Sequence, residues 1–456
     1  MAADRPPPLP MGLAVVTVLK GMIGTGILGL PYASGQVRLA LAAPGLLATA
    51  LIGAFSVWRL IECKAFIASR TFVVGSPAGE GSSEDPEGTL GLGPLALVAR
   101  RAFGTPGVAV AGFGIIASQL GFAVSYVDVI VETLSQASLL GPYLAPAVLR
   151  AVLCVVLCLL CFLRRLSSLA WLSGAALLIY LYLLFALLYY GGGALADGSA
   201  PAFADAWLPV RWDRFGSWFG SAIFAQEAIV ISQYVYDDMQ LPHHSDFLPV
   251  LGASFGISGL LFTFVGVFGY LCYGDAIQNV FYLNFPAGSP AVSIGEVVLC
   301  LVLLLSFALQ MYPVMSFLEA AVLDIRPLGE GEVLASSEGE GSQEEEENAD
   351  MSYEEPSSDS PAKAGTRAGG GEASVVLRCS AVVFTCVAAA LVPDLSCVTG
   401  YSGCFAMSSI GFFLPPLCHA RLHPGALTLS ERLGNAVLLL AGCGAVFFGV
   451  LSTSCD

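Results

Sequence analysis

Lys20-Gly21-Met22-Ile23-Gly24-Thr25-Gly26-Ile27-Leu28-Gly29-Leu30-Pro31 sets four glycines, a proline and one cation inside an otherwise apolar stretch. Each glycine weakens a helix interior by about 1 kcal/mol relative to alanine. A local unwinding there would bare backbone N–H and C=O groups, tolerated at membrane depth only where they line a cavity or meet a ligand. The N-terminal end of the following half-helix would then favour an anion such as a carboxylate. The competing use of the same glycines is close helix packing. The string also satisfies G-x-G-x-x-G at Gly24, Gly26 and Gly29, but no strand precedes it and the first acid after it is Glu62, so it is no dinucleotide fingerprint.

A second stretch, Phe219-Gly220-Ser221-Ala222-Ile223-Phe224-Ala225-Gln226-Glu227, buries an acid in an apolar run. Ionisable residues in such runs are costly and are usually paired, water-facing or functional. Glu227 is therefore a candidate proton carrier, or else a structural carboxylate held by Lys20 or by backbone donors. Tyr126 offers a hydroxyl to a bound carboxylate, or simply packs. Ser306 and Gln310 share a helix face and either meet a cavity or hold helices together. Asp128 and Glu132, one turn apart, are expected on a solvated rim. His243, His244, His419 and His423 are all expected in loops. No H-x-x-E-H, Walker or nucleophile-elbow pattern occurs, which argues against an enzyme and against a catalytic cofactor or metal.

The elements that must position these residues are membrane helices. Of 456 residues 56% are hydrophobic and 12% charged, against about a quarter charged in soluble domains, and the mean hydropathy is +0.77. A span needs about 20 apolar residues. That measure predicts about eleven spans, at 13–34, 39–66, 107–134, 145–163, 167–191, 215–236, 248–273, 293–323, 374–392, 398–419 and 431–451. Odd-numbered units of five can repeat upside down. The expected organisation is thus a short N-terminal segment (1–12), a first repeat (13–191, with a loop at 67–106), an outer loop (192–214), a second repeat (215–420, interrupted by a loop at 326–373), and an added span with a short tail (421–456). Fourteen of the 19 lysines and arginines fall on one side of this topology and four on the other. Positive charge stays cytoplasmic, so the N-terminus is expected inside and the C-terminus outside or lumenal.

The net charge of −16 comes largely from 329–359, where Glu344 to Glu347 run consecutively. This stretch, like 75–91, is expected to be a loop, either inert or docking a cytoplasmic partner. No segment is basic enough for nucleic acid. The 13 cysteines lie mostly in apolar stretches with neither disulfide nor metal spacing, and the first ten residues lack a cleavable signal.

The stretch from Leu19 to Pro31 resembles the first-helix motif of the amino acid/auxin permease family, in particular its proton-coupled and vacuolar amino acid transporter branches. Phe219 to Glu227, Gly269-Tyr270-Leu271-Cys272-Tyr273-Gly274-Asp275 and Phe307-Ala308-Leu309-Gln310-Met311-Tyr312-Pro313 are similar to other motifs of that family. The resemblance implies a broken-helix transporter of small neutral amino acids in a plasma, vacuolar or lysosomal membrane, with H+ rather than Na+ as coupling ion. It implies substrate contacts at Ile23, Gly24, Thr25, Gly26, Tyr126, Phe224, Gln226 and Ser306, with Glu227 and Lys20 as coupling or ion-pair residues. Gln226 and Ala228 depart from the branch's usual aromatic and glycine, and a second-span histidine, paired outer cysteines and an N-x-S/T sequon are missing. Sodium coupling, or an amino-acid sensor signalling through 329–359, are the alternatives.

Overall fold

The computed structural model describes residues 9–74, 93–136, 145–161, 170–198, 206–241, 243–286, 288–323, 369–392, 394–425 and 427–452. The expected loops at 75–91 and 329–359 lie outside them. Among the described residues every regular element is helical. Eight helices are long and apolar enough to cross a membrane, or nine when one bent pair is counted as a span. The protein is a polytopic helical membrane protein.

The bent pair is the expected first span. Helix α1 (Met11–Met22) and helix α2 (Thr25–Val37) meet at 57° across Ile23 and Gly24. Helix α3 (Leu39–Val74) follows, then a short helix α4 (Pro94–Phe103), and α5 (Thr105–Gln136), α6 (Pro146–Leu160) and α7 (Ala170–Ala186) complete the first half. The expected sixth span is again broken, into α8 (Phe215–Ala225) and α9 (Ile229–Met239). Helices α10 (Leu248–Tyr273), α11 (Pro290–Leu323) and α12 (Gly369–Leu391) come next. A run of α13 (Leu395–Tyr401), π turns at Ser402–Met407 and Ser409–Phe413, and α14 (Leu414–Leu422) precedes α15 (Leu429–Ser452). Of the eleven expected spans, the fourth is the 15-residue α6 and the sixth the pair of 11-residue halves. These are short for a full crossing.

Both uses of the first-span glycines occur, at different residues. Gly24 is the extended residue at the break. Gly26 serves packing: a Cβ there would lie 2.7 Å from the Ala225 Cα, so the start of α2 crosses the end of α8 backbone to backbone. The two broken helices are thus locked at their breaks. Around them α10 packs on α2 and α3, and α11 along α5.

Four expectations need correction. The region 67–106 is not all loop, because α4 buries Leu95, Ala96, Val98, Ala99 and Ala102 on one face. Its limits are marked by Pro94 in the first turn and Gly104 at φ 68° after the last, the proline-start and glycine-stop pattern. Asp128 is not on a solvated rim: it is 7% exposed, since α5 is buried on all sides from Phe122 to Val131. His419 is not in a loop but in α14 and 1% exposed, because the helix runs a turn beyond the apolar stretch. Cys397 is disulfide-bonded, a pairing invisible to spacing because it lies inside an apolar run.

At Gly220 and Gly403 the backbones of α8 and the first π turn touch: a Cβ on either would strike the carbonyl oxygen of Gly400 or Gly220, respectively. Gly220→Ala and Gly403→Ala should each destabilise the detergent-solubilised protein by about 1–3 kcal/mol. Thermal melts that matched the unsubstituted chain would rule this contact out as a constraint.

Candidate functional site

The two breaks face one cavity of about 480 Å³, within the size range of small-molecule sites. Ile23 and Gly24 line it from the first break and Glu227 from the second; Lys20 lies a turn before Gly24, Tyr126 comes from α5 and Ser306 from α11. The remaining four sequence candidates lie outside this lining. Thr25 is buried with its hydroxyl 2.6 Å from that of Ser125. Gly26 sits against Ala225, and Phe224 stacks on Phe122 with ring centroids 4.5 Å apart. Gln226 accepts a hydrogen bond from Ser258 at 3.2 Å and borders a separate 20 Å³ pocket, about the room one water needs. Glu227 touches both spaces.

The ends of the two second half-helices differ chemically. At α9 the carboxylate of Glu227 accepts the first N–H, that of Ile229, at 2.9 Å. At α2, Gly24 has no side chain to cap with. The first N–H groups of any helix lack intrahelical acceptors, so the start of α2 presents partial positive charge beside the cavity and the start of α9 is neutralised by the protein itself. Of the two structural roles open to Glu227, a hold by backbone donors is therefore present.

Gln119 and Tyr180 also line the cavity and were missed. Gln119 was findable, as a lone amide in the apolar third span. Its carbonyl accepts from the Gln310 amide, so Gln310 both meets the cavity and ties α11 to α5. The cavity runs toward the N-terminal side of the bundle, reaching Thr17 of α1, Pro94 of α4 and Phe317 near the end of α11. On the opposite side polar contacts draw the halves together, Thr133 with Tyr282, Gln36 with Ser396 at 3.0 Å, and Arg38 with Asp275 at 3.2 Å, while Ser221 with Thr399 at 2.8 Å ties α8 to α13 within the second half and Arg211 of the connecting segment also pairs with Asp275 at 3.2 Å.

Residues 10–454 match the family model described as transmembrane amino acid transporter protein. The chain belongs to that family. It is a family of transporters and not of enzymes. Among its relatives, vacuolar amino acid transporter 3 of Saccharomyces cerevisiae is 28% identical over 310 residues, 67% of this chain and 41% of that protein. The protein of the same name in Schizosaccharomyces pombe is 27% identical over 68% of this chain and 43% of its own length. The chain thus spans about two fifths of the length of these yeast relatives. The proton-coupled amino acid transporter-like protein pathetic of Drosophila melanogaster is 23% identical over 98% of this chain and 85% of its own.

The bond from Ile229 to Glu227 makes a separable prediction. Glu227→Ala leaves the start of α9 uncapped and should cost about 1–2 kcal/mol of stability. Glu227→Gln keeps an acceptor for Ile229 and should cost less than half as much. Equal melting temperatures for the two variants would remove the capping role.

Proposed function

We propose that the protein carries small neutral amino acids across a bilayer by alternating access. The observation that supports this best is the bare N-terminus of α2 at Gly24, beside the cavity. A zwitterionic amino acid fits it in both charges: its carboxylate meets the helix end, and its ammonium group faces Glu227. Tyr126 adds a hydroxyl beside Gly24, whose Cβ position lies 3.7 Å from that oxygen. The mixed lining, with Ile23, Ile115 and Val230 beside the polar groups, suits a short apolar side chain.

Proton coupling through Glu227 is the preferred reading. The carboxylate borders both cavities, so it can exchange a proton with either space while the start of α9 stays held. Sodium would need several converging oxygens, whereas Ser306, which α11 brings to the cavity, has no hydroxyl residue adjacent to it. The naming of the fly relative as proton-coupled-like, and of the yeast relatives as vacuolar, supports a proton gradient and an organellar membrane over the plasma membrane. With the charge-sorted orientation, the cavity faces the cytoplasm.

Uptake of labelled amino acids into proteoliposomes, with a pH step or a sodium gradient, tests both levels. Small neutral amino acids should accumulate with the pH step. Tyr126→Phe should raise KM by about tenfold, as expected for loss of one hydrogen bond to a charged group. Glu227→Gln should transport without pH dependence. Accumulation under sodium alone would overturn the coupling, and no accumulation of any amino acid would overturn the transport reading itself.

A further inference from the structure

Away from the cavity, on the N-terminal side, α3, α14 and α15 bury a cluster of polar groups that transport does not use. His419 brings Nε2 to 3.5 Å from Glu62 Oε2. One ligand atom each from Glu62, His419 and Glu431 lie within 4.8 Å of one another. Arg59 donates to Glu62 Oε2 at 2.6 Å, which leaves Oε1 available. Glu431 uses Oε2 for Thr428, at 2.7 Å to the backbone N–H and 2.8 Å to the hydroxyl. With His419 neutral, two carboxylates and one guanidinium leave the cluster at net −1.

Asn435 shows what the cluster lacks. It is 6% exposed, with Nδ2 3.1 Å from His419 Nδ1, while its Oδ1 is buried with no hydrogen-bond partner among the described residues. A buried orphan acceptor costs about 1–3 kcal/mol. Half a turn of the amide exchanges O and N without changing its shape; Oδ1 then accepts Nδ1–H, and the unpartnered position passes to Nδ2. That tautomer turns the Nε2 lone pair toward the Glu62 carboxylate oxygen 3.5 Å away, a repulsion that a cation bound between them would relieve. An imidazole whose other nitrogen donates to a carbonyl is the usual state of a metal-bound histidine. One imidazole and two carboxylates suit a borderline divalent metal.

We propose that Glu62, His419 and Glu431 form a binding site for a divalent transition metal of the Zn2+ type, with Asn435 orienting the imidazole. Glu431, half-buried at the start of α15, is the side from which the ion enters. A bound ion ties α3 to α14 and α15, beside the α4 that borders the cavity.

The test is calorimetric titration of the chelator-treated full-length protein in detergent with Zn2+, and with Mg2+ for comparison. Saturable binding of one Zn2+ per chain is expected, with no comparable Mg2+ binding. Asn435→Ala should weaken it about 10- to 100-fold, and His419→Gln at least as much. His243→Ala, at an exposed histidine, should leave it unchanged. Glu431→Gln keeps an acceptor for Thr428 and should weaken binding at least tenfold, so it carries the test if His419→Gln fails to fold. No saturable Zn2+ binding, equal affinity for Mg2+, or binding unchanged in both Glu431→Gln and Asn435→Ala would overturn the proposal. Transport is not needed for any of these readouts.

Discussion

A peptide group without a hydrogen-bond partner in hydrocarbon costs several kcal/mol, and this chain interrupts two of its helices within the apolar bundle. The rest of the architecture answers that constraint. Each break must be enclosed by protein or open on a polar space, and here the first does both. Gly26 brings α2 onto α8 at backbone distance, Thr25 bonds to Ser125 of α5, and Ile23 and Gly24 at the break line the cavity. A side chain at residue 26 would push the half-helices apart and expose both breaks at once.

The same constraint explains why the two second half-helices are treated differently. A neutralised start on both would leave the cavity without a field to orient a ligand, and a bare start on both would concentrate partial positive charge where a cationic group must also fit. Capping α9 with Glu227 while leaving α2 bare sets a positive end and an acidic group across one small space. That dipolar arrangement matches a zwitterion better than either a simple anion or a simple cation.

How much of this was legible depended on whether a feature was local. The limits of α10 were readable to the residue, because apolar length and the flanking Pro249 and Gly274 mark them in the sequence itself. The first break was readable as one of two uses of a local glycine cluster, whereas the second followed only from the family resemblance, since a mid-span acid marks a functional or paired residue and not an interruption of the helix. Of the ten residues singled out for the site, six line the cavity and four pack behind it, a division no single helix reveals: Gly24 and Gly26 differ only in which neighbour crosses over them. Asp128 and His419 were misplaced for the same reason. Distance from the middle of a span was read as exposure, whereas burial is set by the helices packed alongside, here all around α5 and, for His419, α3 and α15. Helix α4 carried clear start and stop residues, and was overlooked because ten residues are too few to span a membrane.

The closure opposite the cavity is made mostly of single hydrogen bonds and of ion pairs at half-exposed groups, not of tight apolar packing: Gln36 with Ser396, Ser221 with Thr399, and Arg38 and Arg211 with Asp275. Each such contact contributes about 0.5–1.5 kcal/mol net, and the exposed ion pairs less. A handful therefore sums to a few kcal/mol, comparable with the about 5.5 kcal/mol of differential binding that carries a two-state equilibrium from one side to the other. Hydroxyls and amides also find water as readily as one another, so the closure can open into solvent without stranding buried groups. By contrast Gly26 on Ala225 and Gly220 on Gly403 are backbone contacts with no slack. The motion that the proposed alternating access calls for would therefore leave the crossing of the broken helices intact and be taken up at the polar contacts around it.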